Sequence, residues 1–230
     1  MFPKNNDKHI ILTTQLDNLC LICFMYYIRA LFKSHKKLIA FSMSCHYSTN
    51  RMSLKKYDDK IREYRLRGKS TIVTTRFNDK TFIENKLYRE SMNPAPQCIY
   101  TSSHPVAVNI PLEKEIFVLE MNNETNRIMG IGRIFNIPIY NKHKIHQEQK
   151  FNVFSYVGKI RIDRTDMHDL EEEIMKVFDV LCFKGKRNLK RLKGIKRFPI
   201  DMLYNCKEIL DIVVFISEMF EKRVNKHIEV

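Results

Sequence analysis

The distribution of apolar and polar positions divides the chain into three stretches with different periods. From residue 93 onward the pattern is first that of strands. Cys98–Ser102 and Val106–Ile110 are short extended candidates, and Glu115–Met121 (EIFVLEM) is a nearly continuous apolar run bounded by charge. Asn122–Asn126 (NNETN) supplies a turn, because asparagine tolerates left-handed backbone. Arg127–Phe135 (RIMGIGRIF) returns as the paired strand, its Gly130 and Gly132 marking a bulge or a close backbone approach. Phe151–Ile162 reads as one further strand. After Asp163 the period becomes helical: Leu170, Ile174, Val177, Phe178 and Leu181 share one face, with Asp166 as the expected N-cap and acidic residues in the early turns. A second helix is expected from about Asp201 to Lys222, packing beneath the segment that joins the two. Strands followed by helices give an α+β class.

The preceding stretches are less regular. Residues 1–50 contain the most apolar run, Leu19–Ile28, which is much shorter than the about 20 residues a spanning helix needs. It is expected to lie in a helical extension from about Leu12 to Leu38 that packs on a core or partner, not in a membrane. Residues 51–92 are polar and mixed in charge and read as a connector. Within it Leu54–Arg67 forms a short helix with Leu54, Tyr57, Ile61 and Tyr64 on one side and Gly68 as its stop, and Lys69–Phe77 is a candidate strand or extended arm. The prolines of Asn93-Pro94-Ala95-Pro96 place the start of the main domain, 93–230.

Charge changes the picture most between the two C-terminal helices. The chain of 230 residues carries a net charge of +14, with 44% hydrophobic and 29% charged residues. The run Phe183–Pro199 (FKGKRNLKRLKGIKRFP) holds Lys184, Lys186, Arg187, Lys190, Arg191, Lys193, Lys196 and Arg197 and no carboxylate. A phosphate backbone is its natural partner, since neutralised phosphates release condensed counterions. An acidic protein or a virion component is the alternative partner, and the same cations are then an assembly surface. Aromatic residues interleave the strands, and Tyr100, Tyr140 and Tyr156 are those whose exposure would permit stacking on bases; Tyr100 and Tyr156 join the basic run as candidate contacts.

Few catalytic patterns are present. Gly130-Ile131-Gly132 lacks the following helix and third glycine of a dinucleotide site, and no GxxxxGK[ST] loop occurs, which disfavours an ATPase or a dehydrogenase. His143 and His146 are surrounded by lysine, and Cys20 and Cys23 form half a zinc site without a second half, so no metal and no cofactor is expected. Cys20, Cys23, Cys45, Cys98, Cys182 and Cys206 lack the spacing of a stapled secreted scaffold and read as reduced thiols of an intracellular protein. Glu115 and Glu120, on or beside the best strand, are the carboxylates a metal-dependent nuclease would use, with Asp163 or Glu113 as others, although no lysine follows Glu120 at the spacing such a site needs. Ser102-Ser103-His104 lacks an assignable orienting acid.

The segment Phe117–Ile134 (FVLEMNNETNRIMGIGRI), a strand, a short turn and a glycine-bearing strand, resembles the PUA-like superfamily, which includes the ASCH and EVE domains. The resemblance implies a small, partly open β-barrel with flanking helices that binds RNA or modified bases. The same segment and the FKGKRNLKR run are similar to proteins of nucleocytoplasmic large DNA viruses, which implies a host-cytoplasmic or virion context. The sequence thus leads to an expected noncatalytic nucleic-acid-binding protein, RNA or DNA, gripping phosphates with residues 183–199. Its rivals are a virion-associated interaction protein and, below it, a nuclease or base-processing enzyme.

Overall fold

The computed structural model describes residues 54–95, 97–106, 109–207 and 209–226. The expected N-terminal extension, with its apolar run and three of the six cysteines, lies outside the described residues. Contacts divide the chain into two compact units, one containing residues up to Gly68 together with Ile200–Asp211, the other Lys69–Pro199 with the chain from Ile212 onward.

In the first unit, helix α1 (Leu54–Arg67) ends where the sequence places its stop, with the Gly68 amide bonded to the Tyr64 carbonyl. Of its expected apolar face, Tyr57, Ile61 and Tyr64 are partly buried and Leu54 is exposed. Tyr57 and Tyr64 meet the edge of Tyr204 at ring-centroid distances of 5.9 and 5.8 Å. Their hydroxyls donate to Asn205 (2.8 Å) and Asp211 (3.1 Å). Burial, then the charge of Asp211, pushes the Tyr64 phenol well above its ordinary pKa.

The second unit is built on β1 (Ser70–Phe77) and β3 (Glu115–Asn122), which pair in parallel from Ser70↔Glu115 to Phe77↔Asn122. With β4 (Arg127–Phe135), β7 (Ile160–Asp163) and β8 (Lys196–Arg197) they form a five-stranded sheet in the order β7-β4-β3-β1-β8. A three-stranded sheet, β2-β6-β5, is made from Cys98–Ser102, Phe154–Gly158 and Ile139–Tyr140. The α+β class therefore holds, with two sheets and neither of them closed into a barrel. The stretch 51–92 is not a connector: β1 is interior to the larger sheet, and β-branched residues on both of its faces suit a strand covered on both sides. Helix α2 (Asp79–Ser91) follows it, started by a capping box between Asn78 and Thr81.

Between the sheets lies a core of Val73, Cys98, Tyr100, Val118, Ile134, Tyr156 and their neighbours. Helices α3 (Leu170–Phe183) and α5 (Ile212–Lys226) contact the larger sheet, where Phe220 stacks on Phe117 at 5.2 Å. On the smaller sheet lies α2, whose buried Asn85 donates to the Ile99 carbonyl (2.7 Å). The C-terminal region is not one helix but α4 (Ile200–Cys206) and α5, and they belong to different units. The expected strand Phe151–Ile162 is likewise two: Gly158 pairs with Cys98 in the smaller sheet and Ile160 with Arg133 in the larger. No strand is assigned to Val106, Asn109 or Ile110.

Both β4 glycines have a packing reason. Leu119 and Met121, two positions apart, face Ile131 and Ile128, three apart, so the extra residue lies on β4 beside Gly130. A methyl group on Gly132 would collide with the Tyr100 hydroxyl and approach Cys98 Sγ to 2.8 Å. Gly132→Ala is expected to lower stability by about 2 kcal/mol or more through overpacking, against about 1 kcal/mol for Gly185→Ala, which meets nothing but has a positive φ of 76°. Urea denaturation of the two variants checks the difference, and equal midpoints would contradict the packing account.

Candidate nucleic-acid interface

The basic run leaves α3 at Phe183 and returns to the sheet at β8, held inward by its few apolar residues. Leu189, Ile195 and Phe198 are buried, and the ring of Phe198 meets the edge of Phe178 at 5.3 Å. The Leu189 amide donates to the Cys182 carbonyl (2.8 Å), and the Phe198 amide to that of Ile72 (3.0 Å). Between them Lys196 and Arg197 pair antiparallel with Thr74 and Val73. The support the structure gives this return comes from β1.

A further part of that support comes from one side chain, Arg76 of β1. Its Nε donates to the Leu189 carbonyl (2.7 Å), Nη1 to the Gly194 carbonyl (2.6 Å) and Nη2 to Thr74 Oγ1 (2.8 Å). All three acceptors are neutral. Burial pushes the Arg76 pKa down to about 10, partly offset by Cys182, so it stays charged at neutral pH and adds to the positive field of the loop. From the β3–β4 turn, Asn123 Nδ2 donates to the Lys190 carbonyl (3.2 Å) and Asn126, at φ 54°, accepts from Lys190 Nζ (2.7 Å). Gly194, at φ 68°, lies against β2, and a methyl group there would come 2.7 Å from Ser102 Oγ.

With the backbone fixed in this way, Lys184, Lys186, Arg187, Arg191, Lys193 and Lys196 are exposed, while Lys190 and Arg197 are half-buried, Arg197 donating to the Asn109 carbonyl (3.2 Å). The structure thus brings the predicted cations together on one pinned loop. It does not bring the two tyrosines to them. Tyr100 and Tyr156 are 1% and 0% exposed, since alternation in β2 and β6 turns them into the core between the sheets, and neither can stack on a base. Tyr156 Oη instead accepts from the Val106 amide (2.9 Å). Tyr140, at the edge, is 63% exposed.

Tyr100 belongs to a polar network that sequence reasoning did not find. Its hydroxyl donates to Glu120 Oε1 (2.7 Å), and Arg161 holds both oxygens of Glu120 (2.6–3.1 Å) while Nη1 reaches Asp163 (2.7 Å). Of the carboxylates considered for a nuclease, Glu120 and Asp163 are therefore gathered, but around a guanidinium, while Glu115 pairs with Arg133 (2.9 Å). Burial would lower the Arg161 pKa, but Glu120 and then Asp163 outweigh it and hold the guanidinium well above its ordinary value. Burial would raise Asp163, yet its bonds from Arg161 and Thr165 hold it below the usual carboxylate range. The available signal was Glu120 itself, a charge inside a buried-strand pattern.

The other candidates are engaged singly. His143 Nδ1 is bonded to Tyr88 (3.1 Å) and His146 Nδ1 to Glu84 (2.8 Å). Burial, then Lys142, lowers the His143 pKa. Ser103 Oγ meets His104 Nδ1 at 2.8 Å on the surface, with no carboxylate bonded to His104 among the described residues. Among the described residues no three histidine, cysteine or carboxylate groups cluster as metal ligands, and no helix is long and apolar enough to cross a membrane. Cys98, Cys182 and Cys206 are free and buried, and burial pushes Cys98 and Cys206 up to about 12. No family model, curated protein or solved structure matches the chain.

Arg161→Met leaves the buried Glu120 without its counter-charge and is expected to cost about 3 kcal/mol, part of it recovered in the Glu120→Gln/Arg161→Met double variant. Asp163 is held below its unfolded pKa, so its stabilisation is present above about pH 4 and is lost as pH falls through the folded value. Denaturation of both variants across acid pH reads both effects. A fully stable single variant would show that the network carries no net pairing energy.

Proposed function

We propose that the protein is a noncatalytic nucleic-acid-binding protein that grips phosphates with the Lys184–Arg197 loop. The observation that carries this reading is the way the loop is held. Arg76 fixes its backbone through neutral oxygens, and of the loop's own cations Lys190 and Arg197 bond back to Asn126 and to the Asn109 carbonyl. Among the described residues no carboxylate pairs with Lys184, Lys186, Arg191 or Lys193, which leaves their charge for an external anion. A pinned backbone also lowers the ordering cost of binding. Contacts of this kind position a backbone and read no bases directly, so weak sequence selectivity follows.

The resemblance of Phe117–Ile134 to PUA-like domains supports the same class of ligand. The nuclease alternative has a specific observation against it: the oxygens of Glu120 are taken by Arg161 and Tyr100, and Asp163 is bonded to the same arginine.

Binding of labelled RNA and DNA across a salt series tests the reading, beside a variant with Lys184, Lys186, Arg191 and Lys193 changed to alanine. Wild type should bind with a steep salt dependence. The variant should lose affinity and reduce the slope of log K against log salt by about 3, as expected for four lost phosphate contacts. Equal binding by the two proteins, or none by either, overturns the phosphate grip and leaves the loop as a surface for an acidic protein.

A further inference from the structure

The loop does not end in open solvent. Gly194 abuts Ser102, and Ser102 begins a row that runs across the smaller sheet: Ser102 pairs with Phe154, and Phe154 with Tyr140. Strands lie about 4.8 Å apart, so Tyr140 stands about 10 Å from Ser102; the row shares the core-facing side of Tyr100 and Tyr156, with Ser102 buried, and reaches solvent only at Tyr140 on the sheet edge.

Tyr140 closes this row on an edge strand of two residues. An exposed aromatic there would ordinarily be mobile, but its ring meets that of Phe154 at 5.0 Å and 62°, and Phe154 is partly buried against the core between the sheets. Asn141, at φ 49°, then turns the chain and bonds to the Val153 carbonyl (2.9 Å), and Lys142 and Lys144 beyond it are exposed. The edge thus presents a braced aromatic face followed in the chain by exposed Lys142 and Lys144. A base stacks on such a face for about 1–3 kcal/mol whatever its identity. Bases within a duplex already stack on one another and cannot supply that contact.

Resting on the reading of the loop as a phosphate grip, we infer that the ligand is single-stranded nucleic acid, whose backbone follows the basic loop while an unpaired base stacks on Tyr140. The preference for single strands is located in Tyr140, and the affinity common to single and double strands in the loop.

The chain contains no tryptophan, which gives a direct readout. Tyr140→Trp in the full chain places a fluorophore at the platform alone. Its emission should be quenched by oligo(U), and not by a duplex of equal length. Tyr140→Ala should weaken oligo(U) binding about tenfold while leaving duplex binding unchanged. Salt-dependent binding by wild type, with no quenching and no effect of Tyr140→Ala, overturns the platform while the grip stands. If wild type binds neither strand, the grip fails and the platform with it.

Discussion

A guanidinium folded into a sheet has five donors and must find acceptors, or its desolvation is uncompensated. Arg76 meets that requirement with backbone carbonyls from a segment more than a hundred positions away in sequence. The consequence runs in both directions. The arginine is tolerated because the loop is there, and the loop holds its path because the arginine is. Without such an anchor a run with so many like charges would repel itself into an extended ensemble. The apolar residues Leu189, Ile195 and Phe198 add burial, and β8 adds ladder hydrogen bonds, but Arg76 ties two points of the loop to one strand.

The sheet that carries Arg76 depends on a second buried charge. Glu120 lies at the β3–β4 irregularity, where the extra residue of β4 accompanies the approach of Arg161, and the absence of a side chain on Gly132 admits the Tyr100 hydroxyl. The network thereby joins β2 of one sheet to β3 and β7 of the other. The chain itself makes a further join where β6 runs into β7 across Lys159. These links fix the smaller sheet, and with it the row from Ser102 to Tyr140, against the sheet that holds the basic loop.

Much of this was legible in the residue pattern. The strands 98–102, 115–122 and 127–135, the asparagine turn, α1 with its glycine stop and the helix before the basic run all announce themselves by period or by turn chemistry. What escaped has identifiable physical causes. The β1 strand was seen, but its interior position depends on pairing with β3, a nonlocal fact. Helix α2 has weak amphipathicity because only Asn85 is buried on it, although the Asn78–Thr81 cap was a local signal. The tyrosines were misplaced because alternation says which residues share a face, not which face is covered; Tyr100 and Tyr156 face the larger sheet, and Tyr140 stands at the edge of the smaller one. In TIVTTRF the arginine was visible as a charge in an apolar strand, yet its acceptors could not be read locally.

The central claim is that Arg76 orders the cationic loop as a binding surface, and Arg76→Met tests it with little change in side-chain length. Amide hydrogen exchange of the full chain should show the Leu189 and Lys196–Phe198 amides losing protection in the variant while the β3 and β4 amides keep theirs. Nucleic-acid affinity should fall with the salt slope reduced by no more than about one contact. Unchanged protection in the loop together with unchanged affinity would contradict the account, because the loop would then hold its shape and its function without the arginine.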